Sequence, residues 1–512
     1  MSTKRKMALN LVCSLASFFT SLLINFILSP YIVKTIGVEA NGFISLGNNF
    51  ITYISLITIA ISSMSARFVT VSVYEKKKND AMKYYSSTIM ANIFVVLFLI
   101  LPSILLVINL DKFIDIPVNL LFDVKMLFAL LITNFLINSI FSCFSISFYC
   151  KDSLYLQNII TLIGYFIRLI SILILFIFFK PHIAYVAVAA LIVVIYTSFI
   201  NLIMKNRLMD DIKFDMKYVS IKYMWNLLKS GFWNSINTLG TILLTGLDLL
   251  IANVFLGSYE MGILALVKTI INIVIALNNQ IAQVFYPRNT ILYAEKKYDE
   301  LTLEIKKEMK ILSFVNALPI ACLIVFGKEF FSLWQPTQNS SDLYILCLMS
   351  IYSFAFLGGM DVLWSVFTIS NKLKWNSLLV IFSGIINTLI VIVMVKYTNY
   401  GLYAIAGISP AISLIRNIVY TLPFSAKYIN QKRTVFFTQI FKSFINVMIF
   451  VCVGFTVGKF INSTSWLFLG VKGLMVVLFG TILSFYIVLN KEERKEIQNM
   501  IKGLVKKNEK HI

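Results

Sequence analysis

Seven ionisable residues stand out because they interrupt or close long apolar runs in this chain. Five lie within the runs and two close them: Arg168, Asp248, Lys268, Asp361 and Arg416, then Arg67 and Arg288. An ionised side chain at membrane depth costs a few kcal/mol, so it normally faces a cavity or a partner. Arginine can bind phosphate through paired charge-assisted hydrogen bonds, and lysine acts as a point charge. Because cations outnumber anions, we predict a water-filled cleft in which the five cations bind an anionic group.

The stretch LLTGLDLLIANVFLG contains one carboxylate, Asp248, well inside an apolar run. Asp248 and Lys268 are nearly symmetric about Ser258, so two antiparallel helices would hold them at similar depth. Two interpretations are open. The residues form a structural ion pair, or they form a switch in which substrate phosphate competes for Lys268 or an entering H⁺ or Na⁺ neutralises Asp248. Asp361 and Arg416 allow the same two interpretations.

Arg168 has polar neighbours on its own predicted helix. In NIITLIGYFIRLIS, Asn158, Thr161, Tyr165 and Ser171 share a helical face with it. This polar path indicates that Arg168 faces a cavity instead of lipid.

Polar residues also follow one face of the first predicted helix at spacings of three or four. The positions 220 residues later are again polar, and in the next helix Asn48 and Thr52 correspond to Lys268 and Asn272. From these stripes we predict that seven polar residues line the cleft: Ser17, Asn25, Asn48, Asn234, Asn237, Thr241 and Asn272. The alternative is that such side chains bond within their own helix or join neighbouring helices.

Only membrane-spanning helices can position these residues. The 512-residue chain is 59% hydrophobic and 13% charged, with a mean hydropathy of +0.83. Runs of about 20 apolar residues, the length that crosses a bilayer, recur along nearly the whole chain, and lipid requires their backbone to be helical. We predict an all-α polytopic membrane protein with fourteen spans, near residues 7–33, 43–66, 84–108, 120–149, 155–179, 182–204, 230–256, 262–286, 311–327, 343–370, 375–395, 400–422, 435–458 and 465–490.

Lysine and arginine concentrate in the two termini and in alternate connections. By the positive-inside rule, this asymmetry predicts that both termini are cytoplasmic. The formal net charge of +21 is then explained by orientation and by attraction to anionic membrane lipid. Nucleic acid is therefore not an expected partner.

An internal repeat divides the chain. IGVEANGFISL at 36–46 aligns with LGSYEMGILAL at 256–266, an offset of six spans that preserves orientation. We therefore predict two pseudo-symmetric six-helix lobes with the site at their interface. The predicted organisation is an N-terminal lobe at 1–204, a cytoplasmic linker at 205–229, a C-terminal lobe at 230–424, two further spans at 425–490 and a cytoplasmic amphipathic tail at 491–512.

These features resemble the polysaccharide transport branch of the multidrug/oligosaccharidyl-lipid/polysaccharide exporter (MOP) superfamily, which contains the Wzx-type flippases of lipid-linked oligosaccharides. The resemblance rests on the fourteen-span layout and on three short motifs, which are IGVEANG at 36–42, SSMSARF at 62–68 and LDLLIANVFLGSYEMG at 247–262. Arg67 and Asp248 match the family's motif positions. The other four cations are only analogous to the cationic lumen of such proteins.

The resemblance implies a bacterial inner-membrane protein that serves O-antigen, capsule or exopolysaccharide synthesis. It would move undecaprenyl-diphosphate-linked oligosaccharide units to the periplasmic leaflet by alternating access, driven by a gradient of H⁺ or Na⁺. From the residues themselves, Asp248 and Asp361 are candidates for ion coupling or for structural ion pairs. A polysaccharide polymerase and a chain-length regulator are further implied partners. Drug-exporting relatives share the architecture, so a drug or small-solute antiporter is the alternative.

A membrane-embedded polymerase or acyltransferase has less support in the sequence. The histidines, His182 and His511, lie in a predicted outer loop and at the terminus. The chain contains no phosphate-binding glycine loop, metal-ligand cluster or nucleophile motif, and the six cysteines are predicted to be packing residues. We therefore expect a transporter with no enzymatic activity, no metal and no cofactor.

Overall fold

The computed structural model describes residues 3–461 and 465–488, together with residues 491, 494 and 495. This part of the chain is helical and contains no strand. It has thirteen helices that are long and apolar enough to cross a membrane, and one bent helix pair supplies a fourteenth span. The predicted all-α class with its fourteen spans is therefore confirmed. The predicted amphipathic face of the tail lies outside the described residues.

The spans are numbered in chain order. Spans 1 to 6 are Thr3–Thr35, Val38–Tyr74, Lys78–Ile108, Val118–Cys150, Leu154–Phe178 and Ala184–Leu208. Spans 7 to 12 are Ile221–Gly246 with Asp248–Leu256, Ser258–Ala294, Tyr298–Trp334, Ser340–Leu357 with Met360–Ile369, Leu373–Tyr397 and Leu402–Tyr428. Spans 13 and 14 are Phe437–Phe460 and Trp466–Ile487.

The internal repeat is visible in the local backbone. Spans 2 and 8 each have 37 residues and begin 220 residues apart. Each follows a glycine in the same unusual conformation, with φ of 118° at Gly37 and 105° at Gly257. The turns that follow these spans also match, because Lys76 and Lys296 both have φ of 59°. Only glycine adopts the first of these conformations without strain, which explains why both motifs carry it.

The chain divides into two compact units. The first comprises Met1–Leu266 with Leu373–Ile405, and the second comprises Val267–Lys372 with Ala406–Ile512. Large apolar side chains such as Phe98, Phe178 and Leu474 are exposed on the helices, as lipid-facing residues must be. The predicted lobe boundaries follow the sequence repeat and remain predictions.

Span 7 is broken, although the sequence predicts it as continuous. A π-helical turn at Ile242–Gly246 precedes a bend of 40°, and a new helix begins at Asp248. The carbonyl oxygen of Gly246 accepts hydrogen bonds from Tyr53 Oη at 2.6 Å and from Asn49 Nδ2 at 3.1 Å. Span 2 thus satisfies the backbone group at the break, as the interior of a membrane requires.

Span 10 is also interrupted, by a 3₁₀ turn instead of a π-helical one. Its first helix ends at Leu357, and a 3₁₀ turn at Met360–Val362 leads to a short second helix. The Gly358 carbonyl accepts a hydrogen bond from Asn316 Nδ2 of span 9. The glycine pair at this break also allows close packing, because a Cβ on Gly359 would collide with the carbonyl of Met309.

Candidate substrate-binding site

A cavity of about 520 Å³ lies beside Arg67, near the cytoplasmic end of span 2 in the predicted topology, and its mainly apolar surface carries several polar groups. Spans 2 and 3 form two of its walls, and the short helices Ser142–Ser145 and Ile146–Cys150 at the end of span 4 form the third. Asn92 and Tyr149 contribute to the lining. Seven serine and threonine side chains complete its polar surface: Ser62, Ser63, Ser65, Thr70, Thr88, Ser142 and Ser145. This cavity is the Arg67 pocket.

The third wall exists because span 4 changes from an α-helix to a 3₁₀ turn. In this turn Ser145 Oγ donates to the Ser142 carbonyl at 2.7 Å, and Ser142 Oγ donates to the Ser139 carbonyl at 3.1 Å. Such side-chain bonds compete with regular helical bonds and favour a break. Asn92 Nδ2 also donates to the Ser139 carbonyl, at 2.9 Å, and so holds span 3 against the break.

The hydroxyl groups of the pocket are placed as hydrogen-bond acceptors. Ser62 Oγ donates its proton to the Thr58 carbonyl at 2.7 Å within its own helix. Ser63 Oγ already accepts a bond from Asn234 Nδ2 of span 7, at 3.2 Å. Ser62, whose proton is used in this way, still has lone pairs that can accept, and Ser63 keeps one lone pair and its own proton. The lining is therefore suited to the hydroxyl donors of a sugar.

Arg67 supplies the positive charge of the pocket. Its side chain is exposed, and it makes no hydrogen bond or ion pair with any residue that the structure describes. The described lining includes no aspartate or glutamate. The guanidinium can therefore offer its paired N–H donors to a phosphate group.

Arg168 and Arg416 each have at least one buried nitrogen atom without a hydrogen-bond partner among the described residues. Arg416 is 9% exposed, and its guanidinium lies 5.3 Å from the centre of the Trp364 ring. Its Nη2 is 3.4 Å from Asn417 Oδ1, whereas Nε and Nη1 have no hydrogen-bond partner in the described part of the chain. Arg168 Nε is also buried without one. Buried unpaired N–H groups are costly, so both side chains are suited to an anion or ordered water.

The five predicted cations are divided between the two units. Arg67 and Arg168 lie in the first unit, but only Arg67 lines the pocket. Lys268, Arg288 and Arg416 lie in the second unit. Arg288 is exposed near the end of span 8, and Lys268 is half-buried. Their assembly into one cleft remains a prediction.

Asp248 is 3% exposed and begins the second helix of span 7. The break in this span therefore places the carboxylate at a helix N-terminus, where the helix dipole favours a negative charge. Asp248 lies in the first unit and Lys268 in the second, and their pairing remains a prediction. Asp361 lies on the 3₁₀ turn of span 10, beside Asn278 of span 8.

Three of the predicted lining residues join neighbouring helices. Ser17 Oγ donates to the Asn158 carbonyl at 2.7 Å, Asn234 bonds to Ser63, and Asn237 Oδ1 accepts from Asn376 Nδ2 at 3.4 Å.

The other four bond within their own helix or are exposed. Asn48 Nδ2 donates to the Ile44 carbonyl and Thr241 Oγ1 to the Asn237 carbonyl, whereas Asn25 and Asn272 are exposed. Of these seven residues, Asn234 is the one that hydrogen-bonds to a residue lining the Arg67 pocket, namely Ser63, in the described part of the chain. A role in lining a cleft remains a prediction for all seven.

The hydroxyl groups of spans 3 and 4 and a buried carboxyl group, Glu308, are not among the residues predicted from the sequence. Ser142 and Ser145 lie on the 3₁₀ turn at which span 4 breaks, and this break is not evident in an apolar run. Thr88 lies on span 3 and reaches the pocket through the packing of that helix. Glu308 does carry a signal. Span 9 begins at Tyr298, not near 311, and Glu308 follows Leu301 and Ile305 on one helical face, which indicates burial.

Comparisons with known proteins agree with this architecture. No family model matches the chain. It is 28% identical over 495 residues to the uncharacterized membrane protein EpsK of Bacillus subtilis, covering 96% of this chain and 97% of that protein.

Two solved structures share the fold at low sequence identity. The lipid II flippase MurJ, in an inward closed conformation, has a TM-score of 0.71 and 14% identity, covering 94% of this chain and all of that one. An inward-facing multidrug resistance MATE family transporter has a TM-score of 0.63 and 13% identity, covering 81% and 94% of the two chains. The chain is therefore a multi-pass membrane protein that shares the fold of these two solved structures.

Proposed function

We propose that the chain is a Wzx-type flippase of the bacterial inner membrane. It moves undecaprenyl-diphosphate-linked oligosaccharide repeat units from the cytoplasmic to the periplasmic leaflet, by alternating access coupled to H⁺ or Na⁺. The units then serve surface polysaccharide synthesis, through a polymerase and a chain-length regulator. The observation that carries the proposal is the Arg67 pocket, which combines one unpaired guanidinium with a lining of hydroxyl groups.

Each part of this pocket suits one part of a lipid-linked sugar. Arg67 binds the diphosphate through paired charge-assisted hydrogen bonds. The serine and threonine oxygens accept bonds from sugar hydroxyls and replace water lost on entry. The prenyl chain stays in lipid, where it needs no polar contact. Arg168, Lys268, Arg288 and Arg416 attract the diphosphate along the remaining path.

Both solved structures are of transport proteins, which supports a transport function for this chain. The two proteins differ in the kind of substrate that they move. MurJ is a lipid II flippase, and its name denotes a lipid-linked substrate. The MATE relative is a multidrug resistance transporter. A site for cationic drugs requires carboxylates, and the described lining of the Arg67 pocket has none. The pocket therefore favours an anionic lipid-linked cargo over a drug.

A gene deletion with complementation tests this function. We expect a lipid-linked oligosaccharide to accumulate in the cytoplasmic leaflet of the deletion strain, and surface polysaccharide to be lost. Raised drug sensitivity without accumulation would instead support a drug antiporter. A change in polysaccharide chain length alone would instead support a role in polymerisation.

Substitution of Arg67 tests the site itself. We expect Arg67→Ala to weaken binding of a short prenyl diphosphate by about tenfold to a hundredfold, since hydrogen bonds to charged groups contribute roughly 1.5–3 kcal/mol. Arg67→Lys should retain part of the affinity. Arg207→Ala is the matched control, because Arg207 is an exposed arginine outside the pocket. Equal affinity in all three variants would contradict the assignment of the pocket.

A further inference from the structure

Span 9 contains a buried carboxyl group that the substrate pocket does not use. Glu308 is 1% exposed, and its Oε2 accepts a hydrogen bond from Asn289 Nδ2 of span 8 at 2.8 Å. The second carboxyl oxygen, Oε1, is buried and has no hydrogen-bond partner among the described residues. The amide oxygen of Asn289, Oδ1, is likewise buried and unpartnered. Two oxygen acceptors of one contacting pair therefore lack a donor.

A single proton satisfies both oxygen atoms. A neutral carboxyl group has one O–H donor, and with the proton on Oε1 it can donate to Asn289 Oδ1 while Oε2 keeps its bond from Nδ2. The result is a reciprocal acid–amide pair with no unsatisfied atom. An ionised Glu308 would instead place a buried charge beside an amide oxygen, which is unfavourable.

The surroundings of Glu308 also favour the neutral form. It makes no ion pair with any described residue, and Glu304, one turn earlier on the same helix, contributes a like charge. Among the basic residues nearest to it in the sequence are Lys307 and Lys310. On span 8, Arg288 precedes Asn289 but is exposed. On span 10, the acidic residues are Asp342, in the first turn of its first helix, and Asp361, which lies beside Asn278.

The residues on either side of the pair are apolar. Leu292, Ile305 and Met309 belong to one buried cluster that surrounds this region of spans 8, 9 and 10. Water is therefore excluded from most of the surface around the carboxyl group. This apolar environment favours the protonated, neutral form of Glu308.

We propose that Glu308, held by Asn289, is a proton-binding site that takes up and releases H⁺ during transport. In the predicted topology it lies about 15 Å along span 9 from the cytoplasmic turn, at 1.5 Å per residue. Its role in coupling rests on the proposed transport function. Its protonation does not, so the two can be tested separately.

The pair of Glu308 and Asn289 lies close to the break of span 10. Met309, the next residue, packs its backbone against Gly359 at the break of span 10. Asn316, two turns later on span 9, binds the Gly358 carbonyl at that break. Loss of the proton would place a charge beside this contact. Release of H⁺ is therefore expected to weaken the packing of span 9 against the break in span 10.

Infrared difference spectroscopy of the full-length protein in lipid nanodiscs tests the protonation without any substrate. We expect a carbonyl band of a protonated carboxyl group at neutral pH, which disappears on alkaline titration and is absent in Glu308→Gln. Glutamine can form the same reciprocal pair with Asn289, so this variant should fold. Glu300→Gln, an exposed substitution on the same helix, is the control and should retain the band.

Transport in proteoliposomes tests the coupling. We expect Glu308→Gln to abolish the dependence of transport on a pH gradient, whereas Glu300→Gln keeps it. Asn289→Ala should shift the titration midpoint of the band, which supplies a second variant if Glu308→Gln does not accumulate.

Three results would overturn the inference. They are the absence of the band in the wild-type protein, loss of the band on addition of Na⁺ at constant pH, and a Glu308→Gln variant whose transport follows the pH gradient like the wild type. If the band titrates but no lipid-linked sugar moves, the proposed function fails and the proton site stands.

Discussion

Gly42 of span 2 packs directly on Gly262 of span 8, so closely that a Cβ on Gly42 would lie 2.9 Å from the Gly262 Cα. The two glycines occupy equivalent positions of the sequence repeat, 220 residues apart. In return, a Cβ on Gly262 would lie 2.6 Å from the Val38 carbonyl oxygen. The motifs IGVEANG and LGSYEMG therefore pack against each other, which explains why both have a glycine at this point.

The first prediction follows from this packing. Gly262→Ala should lower the thermal midpoint of the protein in detergent, by the equivalent of about 1–3 kcal/mol, because the added methyl group meets rigid backbone. Gly473→Ala is the matched control. Gly473 has no atom near its Cβ position within 4 Å, so alanine there should keep or raise the midpoint. Equal midpoints for both variants would show that the glycine contact has no energetic importance.

The second prediction concerns Asn253, which is fully buried and binds the backbone of Asp115 on both sides. Its Oδ1 accepts from Asp115 N at 2.7 Å, and its Nδ2 donates to the Asp115 carbonyl at 2.9 Å. Asn253→Asp should destabilise the protein by about 1–3 kcal/mol, since it turns the donor into an acceptor opposite a carbonyl. Asn109→Ala is the control, because the exposed side chain of Asn109 donates only to the carbonyl of Leu105, in the preceding helical turn, among the described residues. The measurement is again the thermal midpoint.

The third prediction separates function from stability at Arg168. Because this guanidinium makes no hydrogen bond with the described residues and its Nε is buried, Arg168→Ala should lower surface polysaccharide without lowering the protein level or midpoint. Arg168→Lys should restore part of the polysaccharide, since it keeps the charge. Disappearance of the alanine variant from the membrane would indicate a structural role instead.

The fourth prediction concerns the ion pair of Lys472 and Glu329, which are 2.7 Å apart. The lysine side chain is 1% exposed and the glutamate 35%. Glu329→Gln should destabilise the protein by about 3–5 kcal/mol, because it leaves a buried ammonium group unpaired. Lys472→Met should cost less, since water can reach the remaining carboxylate. Thermal unfolding of both variants checks this order.

The exposed pair of Lys125 and Asp111, 2.5 Å apart, supplies a contrast. Lys125 lowers the pKa of the Asp111 carboxyl group through its hydrogen bond. A carboxyl group with a lowered pKa contributes stability at pH values above its ordinary pKa. This contribution is lost as the pH falls through the pKa of the folded state. Because the pair is exposed, Asp111→Asn should leave the thermal midpoint at neutral pH almost unchanged. A large change would contradict the role of burial in the fourth prediction.

The fifth prediction tests the pairing of Asp248 with Lys268. If they form a structural ion pair, the double variant Asp248→Lys with Lys268→Asp should recover the polysaccharide that either single variant loses. If the pair acts as a switch, the double variant should remain inactive although it accumulates in the membrane. Polysaccharide yield per unit of membrane protein distinguishes these outcomes.

The sequence predicted the number and position of the spans because a bilayer imposes one strong requirement on length and hydropathy. It did not predict the breaks at Gly246 and Gly358, since these depend on Tyr53 and Asn316, which lie far away in the chain. Arg67 was predicted as a site residue, but its neighbours from span 4 were not. Polar pockets inside a membrane protein depend on how several helices meet, and one-dimensional periodicity does not contain that information.

The side chains that cover the two helix breaks have a mechanical consequence. A backbone carbonyl that loses its helical hydrogen bond inside a membrane normally has no other donor. The free-energy cost of this unsatisfied group favours a straight helix. At Gly246 the hydroxyl of Tyr53 replaces the lost bond, and at Gly358 the amide of Asn316 does so. At each break a side-chain donor can therefore take the place of a backbone N–H donor. The helix can bend there with little change in the number of hydrogen bonds to its carbonyl groups.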